Sequence, residues 1–81
     1  MNQFDKELLE KDVLYRILWD GNLKSEDYSI MYLDSGVLKQ VPFSEIKLEG
    51  DFFSVGDALI PMHRIRRILC RGAVVWEKRR I

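Results

Sequence analysis

"YSIMYLDSGVLKQVPF", residues 28–43, is the stretch whose reading decides the fold. Residues 28–33 are rich in β-formers, which suit a pleated, half-buried surface. "DSG" at 34–36 is turn chemistry, and "VLKQVPF" at 37–43 reads as the returning strand of a hairpin. Pro42 has no N–H to give to a ladder, so it marks an edge position or a strand end. An antiparallel sheet therefore begins near residue 28.

Upstream the period is different. In "DKELLEKDVLYRIL", residues 5–18, Leu9, Val13 and Ile17 recur every four residues, and Leu14 and Leu18 widen the stripe. Lys6, Glu7, Glu10 and Lys11 fall largely on the other side, as an amphipathic helix requires. Asn2 or Asp5 would cap this helix, and "DGN" at 20–22 would stop it at Gly21. A shorter helix capped by Asp12 is the alternative, with residues 1–11 then a loose arm.

Downstream the short apolar runs continue. "EIKLEG" (45–50), "DFFSV" (51–55), "DALI" (57–60), "IRRILC" (65–70) and "AVVWEKR" (73–79) read as strands, with turns at "EGD", "GD" and "RG". Pro61 suits the first position of a helical turn because its φ is preset and it lacks an N–H. Met62, Ile65 and Ile68 follow at three-residue spacing, so a short helical turn is expected near 61–64, aiming His63 and Arg64 outward. The expected class is α+β: one N-terminal helix on a small antiparallel sheet, a meander able to curl into an open barrel. No internal repeat, linker or boundary is apparent, so residues 1–81 read as a single domain.

A chain of 81 residues with nine aromatic side chains affords a modest core, and burial in a homodimer would be a natural supplement. Its single cysteine, Cys70, excludes an internal disulfide and fits a reducing compartment. No run approaches the roughly 18 apolar residues of a membrane span, and the first residues do not form a signal peptide. A cytoplasmic setting is expected. The formal net charge is zero, yet residues 1–60 carry −6 and residues 61–81 carry +6. Charge segregated in this way builds a local positive field on a neutral molecule, unless the acidic part packs against the basic part and cancels it.

The basic segment "IPMHRIRRILC", residues 60–70, also holds the only histidine. One His and one Cys among arginines do not make a zinc site, so no metal or other cofactor is expected. Cys70 follows Ile68 and Leu69 and reads as a structural residue and not a nucleophile. Two-histidine acid–base catalysis cannot be built from one histidine, and no phosphate-cradling glycine loop is present. Anion recognition fits better, because guanidinium groups match phosphate oxygens two at a time and a histidine can donate beside them. Trp76 has two readings, a stacking face for a base or a core residue sharing a strand face with Val74 and opposite Val75 and Glu77.

"IPMHRIRRI" (60–68) followed by "GAVVWEKR" (72–79) resembles the archaeal uncharacterised family known as the RNA cyclic group end recognition domain, with "VLYRILWD" (13–20) as a weaker N-terminal block. Met62 stands where that family more often has an aromatic. The resemblance implies binding of RNA ends that carry a terminal cyclic phosphate, in the company of RNA-processing proteins. Taken with the basic segment, the expected function is a non-catalytic domain for single-stranded RNA ends. On that resemblance His63 and Arg64 would contact the phosphate, with Trp76, Arg66 and Arg67 as support and Trp19 with Asp20 marking the N-terminal block. The basic segment itself suggests that Arg66, Arg67 and Arg71 supply field and backbone contacts, with Lys78 in support. Two other classes remain open: a protein-interaction or homodimerisation module using the basic face, and a cyclic-phosphate hydrolase pairing His63 with an acid such as Asp20.

Overall fold

A computed structural model describes residues 9–78. The arm over residues 1–8, the first turn of the longer helix, and Arg79 and Arg80 lie outside the described residues. Helix α1 runs Glu10–Trp19 and ends at Asp20, whose N–H donates to the Arg16 carbonyl. Asp12 does not precede the helix as a cap. It sits in the first turn, where its carboxylate accepts the Leu9 N–H at 3.3 Å. Val13, Leu14 and Ile17 form the buried stripe. Leu9 and Leu18, expected to extend it, are exposed.

Seven strands follow: β1 Tyr28–Asp34, β2 Val37–Pro42, β3 Ile46–Glu49, β4 Phe52–Val55, β5 Ala58–Pro61, β6 Ile65–Cys70 and β7 Ala73–Glu77. The class is α+β, but the strands divide into two antiparallel sheets and close no barrel. One sheet has the order β2-β1-β6-β7 and the other β3-β4-β5. Turn chemistry explains the hairpins. Ser35 and Gly36, like Arg71 and Gly72, have positive φ at both loop residues, the pattern of a type I′ turn whose twist matches that of the strands.

The chain passes between sheets twice, by the same device each time. Pro42 ends β2 with φ −63° and ψ 143°, and a 3₁₀ turn, Phe43–Glu45, leads into β3. Pro61 ends β5 with φ −62° and ψ 139°, and the 3₁₀ turn Met62–Arg64 leads into β6. Pro61 is therefore the last extended residue before the turn and not its first helical one. Its preset φ serves both conformations, and only ψ decides. In both turns the first residue is buried, Phe43 or Met62, and an isoleucine N–H closes the turn onto that residue's carbonyl. The sequence signature is Pro-apolar-x-x-Ile, a short repeat concealed by the different residues at x.

The core lies between α1 and the inner faces of the two sheets. Val13, Leu14, Ile30, Phe53, Ile65 and Ile68 are fully buried in it. Phe53 of the three-stranded sheet meets Tyr32 of the four-stranded sheet edge to face, with ring centroids 5.4 Å apart and planes at 80°, a favoured aromatic geometry.

Two bulges break the alternation. Met31 pairs with Arg67 and Tyr32 with Ile65, leaving Arg66 as an extra residue in β6. Ile68 pairs with Trp76 and Leu69 with Val74, leaving Val75 as an extra residue in β7. An inserted residue shifts the following side chains to the other face. Consecutive Val75 and Trp76 are consequently both buried, and the expected Val74–Trp76 face does not form.

Candidate functional site

The Met62–Arg64 turn is the structural centre of the basic segment. Met62 anchors it inward at 3% exposure, its N–H donating to the Asp51 carbonyl at 2.9 Å. His63 and Arg64 are exposed. Behind them two further cations converge on one atom: Arg66 Nη1 and Lys78 Nζ donate to the His63 carbonyl at 2.8 and 2.7 Å. The bulge at Arg66 lets its side chain fold back in this way, and its buried Nε has no hydrogen-bond partner among the described residues. Lys78 also reaches Glu10 of α1 at 3.5 Å, which ties the turn to the helix.

Carboxylates cancel some of the basic charge, Asp27 from the acidic part of the chain and Glu77 from within the basic segment itself. Arg71 pairs with Asp27 at 3.2 Å, and Arg67 pairs with Glu77 at 2.8 Å. Arg64 makes no ion pair or hydrogen bond with any described residue. It lines a groove between the β1–β2 and β4–β5 hairpins, together with Lys39 and Asp34. There Lys39 Nζ meets Asp34 Oδ2 at 2.8 Å. The hydrogen bond and charge of Lys39 hold the Asp34 carboxyl below its ordinary value, with smaller help from Arg64, and the same bond raises Lys39. The Asp34 contribution to stability is present above its unfolded pKa and lost as pH falls through the lowered folded one. The Lys39 contribution is present below its unfolded pKa and lost as pH rises through the raised folded one. Asp34 is half-buried and Lys39 exposed, and within this groove their pairing leaves Arg64 as the cation without a carboxylate partner among the described residues.

The other expected residues do not gather at this turn. Arg67 lies on the outer face of its sheet, opposite Met31 and Glu77. Arg71 occupies the β6–β7 turn, roughly 20 Å along β6 at about 3.3 Å per residue, where its N–H also donates to the Asp27 carbonyl. Trp76 is only 2% exposed and belongs to the core, so it offers no face for stacking. Trp19 is 76% exposed, but it sits at the far end of α1 from Glu10, roughly 13 Å away at 1.5 Å per residue. Asp20 caps that same end: its carboxylate accepts the Asn22 N–H and lies 3.9 Å from Arg16. Cys70 is half-buried and packs against the core.

The comparison of the two crossings separates architecture from chemistry. Phe43–Glu45 builds the same turn with Ser44 and Glu45 where Met62–Arg64 has His63 and Arg64. Backbone geometry thus demands the proline, the buried first residue and the closing isoleucine, and leaves the two exposed positions unconstrained. A basic pair there is not required by the fold.

Residues 9–78 match the family described as the MJ1316 RNA cyclic group end recognition domain. The chain belongs to this family. Curated relatives of the chain include a UPF0248 protein of Thermococcus onnurineus, 39% identical over 74 residues that cover 86% of this chain and 85% of the relative. A UPF0248 protein of Thermococcus kodakarensis is 37% identical, covering 88% of this chain and 93% of its own. One of Methanococcus maripaludis is 36% identical, covering 85% and 97%. No solved structure matches.

Other features of the chain narrow the candidates further. A second hollow, about 590 Å3, lies against the three-stranded sheet, but Glu45, Glu49 and Asp57 line it with Lys47, and that carboxylate excess opposes an anion. Among the described residues, no group of three or more His, Cys, Asp or Glu side chains could hold a metal ion. No described helix is long and apolar enough to cross a membrane.

Proposed function

We propose that the chain is a non-catalytic RNA-binding domain that holds RNA ends bearing a terminal cyclic phosphate at the Met62–Arg64 turn. One observation carries this reading: the fold builds the same turn twice, and only the second exposes His63 and Arg64, with Arg66 and Lys78 bound behind them. The family description points to the same ligand. Arg64 offers a planar fork of donors to two phosphate oxygens, and His63 donates beside it. Arg66 and Lys78, committed to the His63 carbonyl, brace the turn and add to its positive field. Arg67 and Arg71 act at most at long range, each being paired with a carboxylate.

The test is fluorescence anisotropy with one short RNA carrying either a 2′,3′-cyclic phosphate or plain hydroxyls at its end. The cyclic-phosphate end is expected to bind roughly tenfold more tightly, since a charge-assisted phosphate contact contributes about 1.5–3 kcal/mol. Affinity should also fall with salt, with a logarithmic slope of about −0.7 for each phosphate contacted. Equal affinity for the two ends would refute end recognition.

A further inference from the structure

The groove that Arg64 lines has a second character. It is a half-open groove of about 440 Å3, within the range of roughly 300–1,000 Å3 typical of small-molecule sites. Its two walls belong to different sheets, so it is the open seam between them. Tyr32 and Leu33 come from β1, and Val55, Leu59 and Ile60 from the β4–β5 hairpin. Leu59 is 55% exposed, and Leu33, Val55 and Ile60 are half-buried. The apolar wall is therefore only partly covered. Tyr32 itself is buried, its ring edge to face with Phe53.

The polar part of the lining carries one net positive charge. Lys39 and Asp34 neutralise each other at 2.8 Å, and Arg64 remains. A bare phosphate would satisfy Arg64 and leave the apolar wall in water. A peptide carboxylate would do the same unless it carried a large side chain. A flat, uncharged ring joined through a sugar to a phosphate satisfies both parts at once.

We propose that this groove seats the terminal nucleoside of the RNA end, so that the site reads a nucleotide and not merely a cyclic phosphate. The inference rests on the phosphate-binding reading of the Met62–Arg64 turn. Arg64 belongs to both sites and joins the phosphate contact to the base contact. Recognition of the base is through burial against the apolar wall, which tolerates any base that is free to leave its helix.

Calorimetric titration of the whole chain with three probes tests this: uridine 2′,3′-cyclic phosphate, glycerol 1,2-cyclic phosphate, which has the same cyclic ester but no base, and a short RNA ending in the same cyclic phosphate. The uridine compound is expected to bind roughly tenfold more tightly than the glycerol compound, which has no base to bury, and the RNA at least as tightly as the uridine compound. Ala58→Phe fills the groove from an exposed position on its lining, with circular dichroism to verify that the variant folds. It should abolish the advantage of the uridine compound and leave the glycerol compound unaffected. If the two small probes bind equally and Arg64→Ala weakens both, the groove assignment fails and the phosphate site stands. A uridine advantage that survives Ala58→Phe also overturns the groove assignment. Weaker binding of the RNA than of uridine cyclic phosphate overturns the assignment to an RNA end, and failure of all three probes overturns both proposals.

Discussion

Phe53→Ala is expected to lower the stability of the fold by about 3–5 kcal/mol. A chain of this length has a total stability of roughly 4–12 kcal/mol at the usual per-residue range, so the loss takes between about a quarter of it and the whole. Phe53 is fully buried and spans the space between the sheets, where its ring meets the edge of Tyr32. Alanine removes the contact that joins them, and two sheets crossed by short turns cannot collapse freely onto the cavity. Phe52, its neighbour in β4, is 40% exposed and points the other way. Phe52→Ala should therefore stay within about 1 kcal/mol of the parent protein. Urea unfolding followed by circular dichroism separates the two cases. Similar midpoints for the two variants would show that the sheets are not joined through Phe53.

The second large effect concerns binding. Grafting the polar pair of the first crossing onto the second, as the double variant H63S/R64E, is expected to lower affinity for a cyclic-phosphate RNA end by about 100-fold or more, each tenfold being about 1.4 kcal/mol. Two donors are lost and a carboxylate is set where a phosphate should lie, which adds repulsion to the missing contacts. Stability should change by no more than roughly 0.5 kcal/mol, as for other exposed substitutions, because Ser44 and Glu45 already occupy such a turn. Anisotropy and urea unfolding on the same preparation give both quantities. Retained affinity in a folded H63S/R64E protein would remove the phosphate site from this turn. Lost stability would mean that the pair serves the fold after all.

Local features were legible in the sequence and long-range ones were not. "YSIMYL", "DSG" and "VLKQVPF" fall where β1, its turn and β2 lie, because a strand, a turn and a strand each depend on neighbours in the chain. The turn at 62–64 was legible for the same reason. Which sheet a strand joins depends on partners far along the chain, so a single meander was the natural expectation and two sheets were found. The bulges at Arg66 and Val75 have no composition signal. They decide where Arg66 and Trp76 point, and a strict alternation misassigns Val75. For the site, His63 and Arg64 were legible as an exposed pair. Strand length carries Arg71 away and sheet facing carries Arg67 away. The groove between hairpins of different sheets is invisible to any reading of adjacent residues. The repeated Pro-apolar-x-x-Ile signature at 42–46 and 61–65 was present in the sequence and is the signal that would have singled out His63 and Arg64 as free of structural duty.

The sheet order also has a kinetic meaning. Four of the five strand pairings join neighbours through tight hairpins, and only β1 with β6 brings together distant parts of the chain. Hairpins form in about 1–10 μs, whereas β1–β6 pairing must first close the long loop from Tyr32 to Ile65 and waits on its entropy. That closure is what brings Arg64 opposite Asp34 and Lys39. The groove accordingly comes into being with the last contacts made, and a nucleotide bound there should act as a brake on unfolding while leaving the folding rate almost untouched. Stopped-flow refolding and unfolding with and without ligand would read the two rates separately, and a ligand that chiefly accelerated folding would mean that the seam closes early.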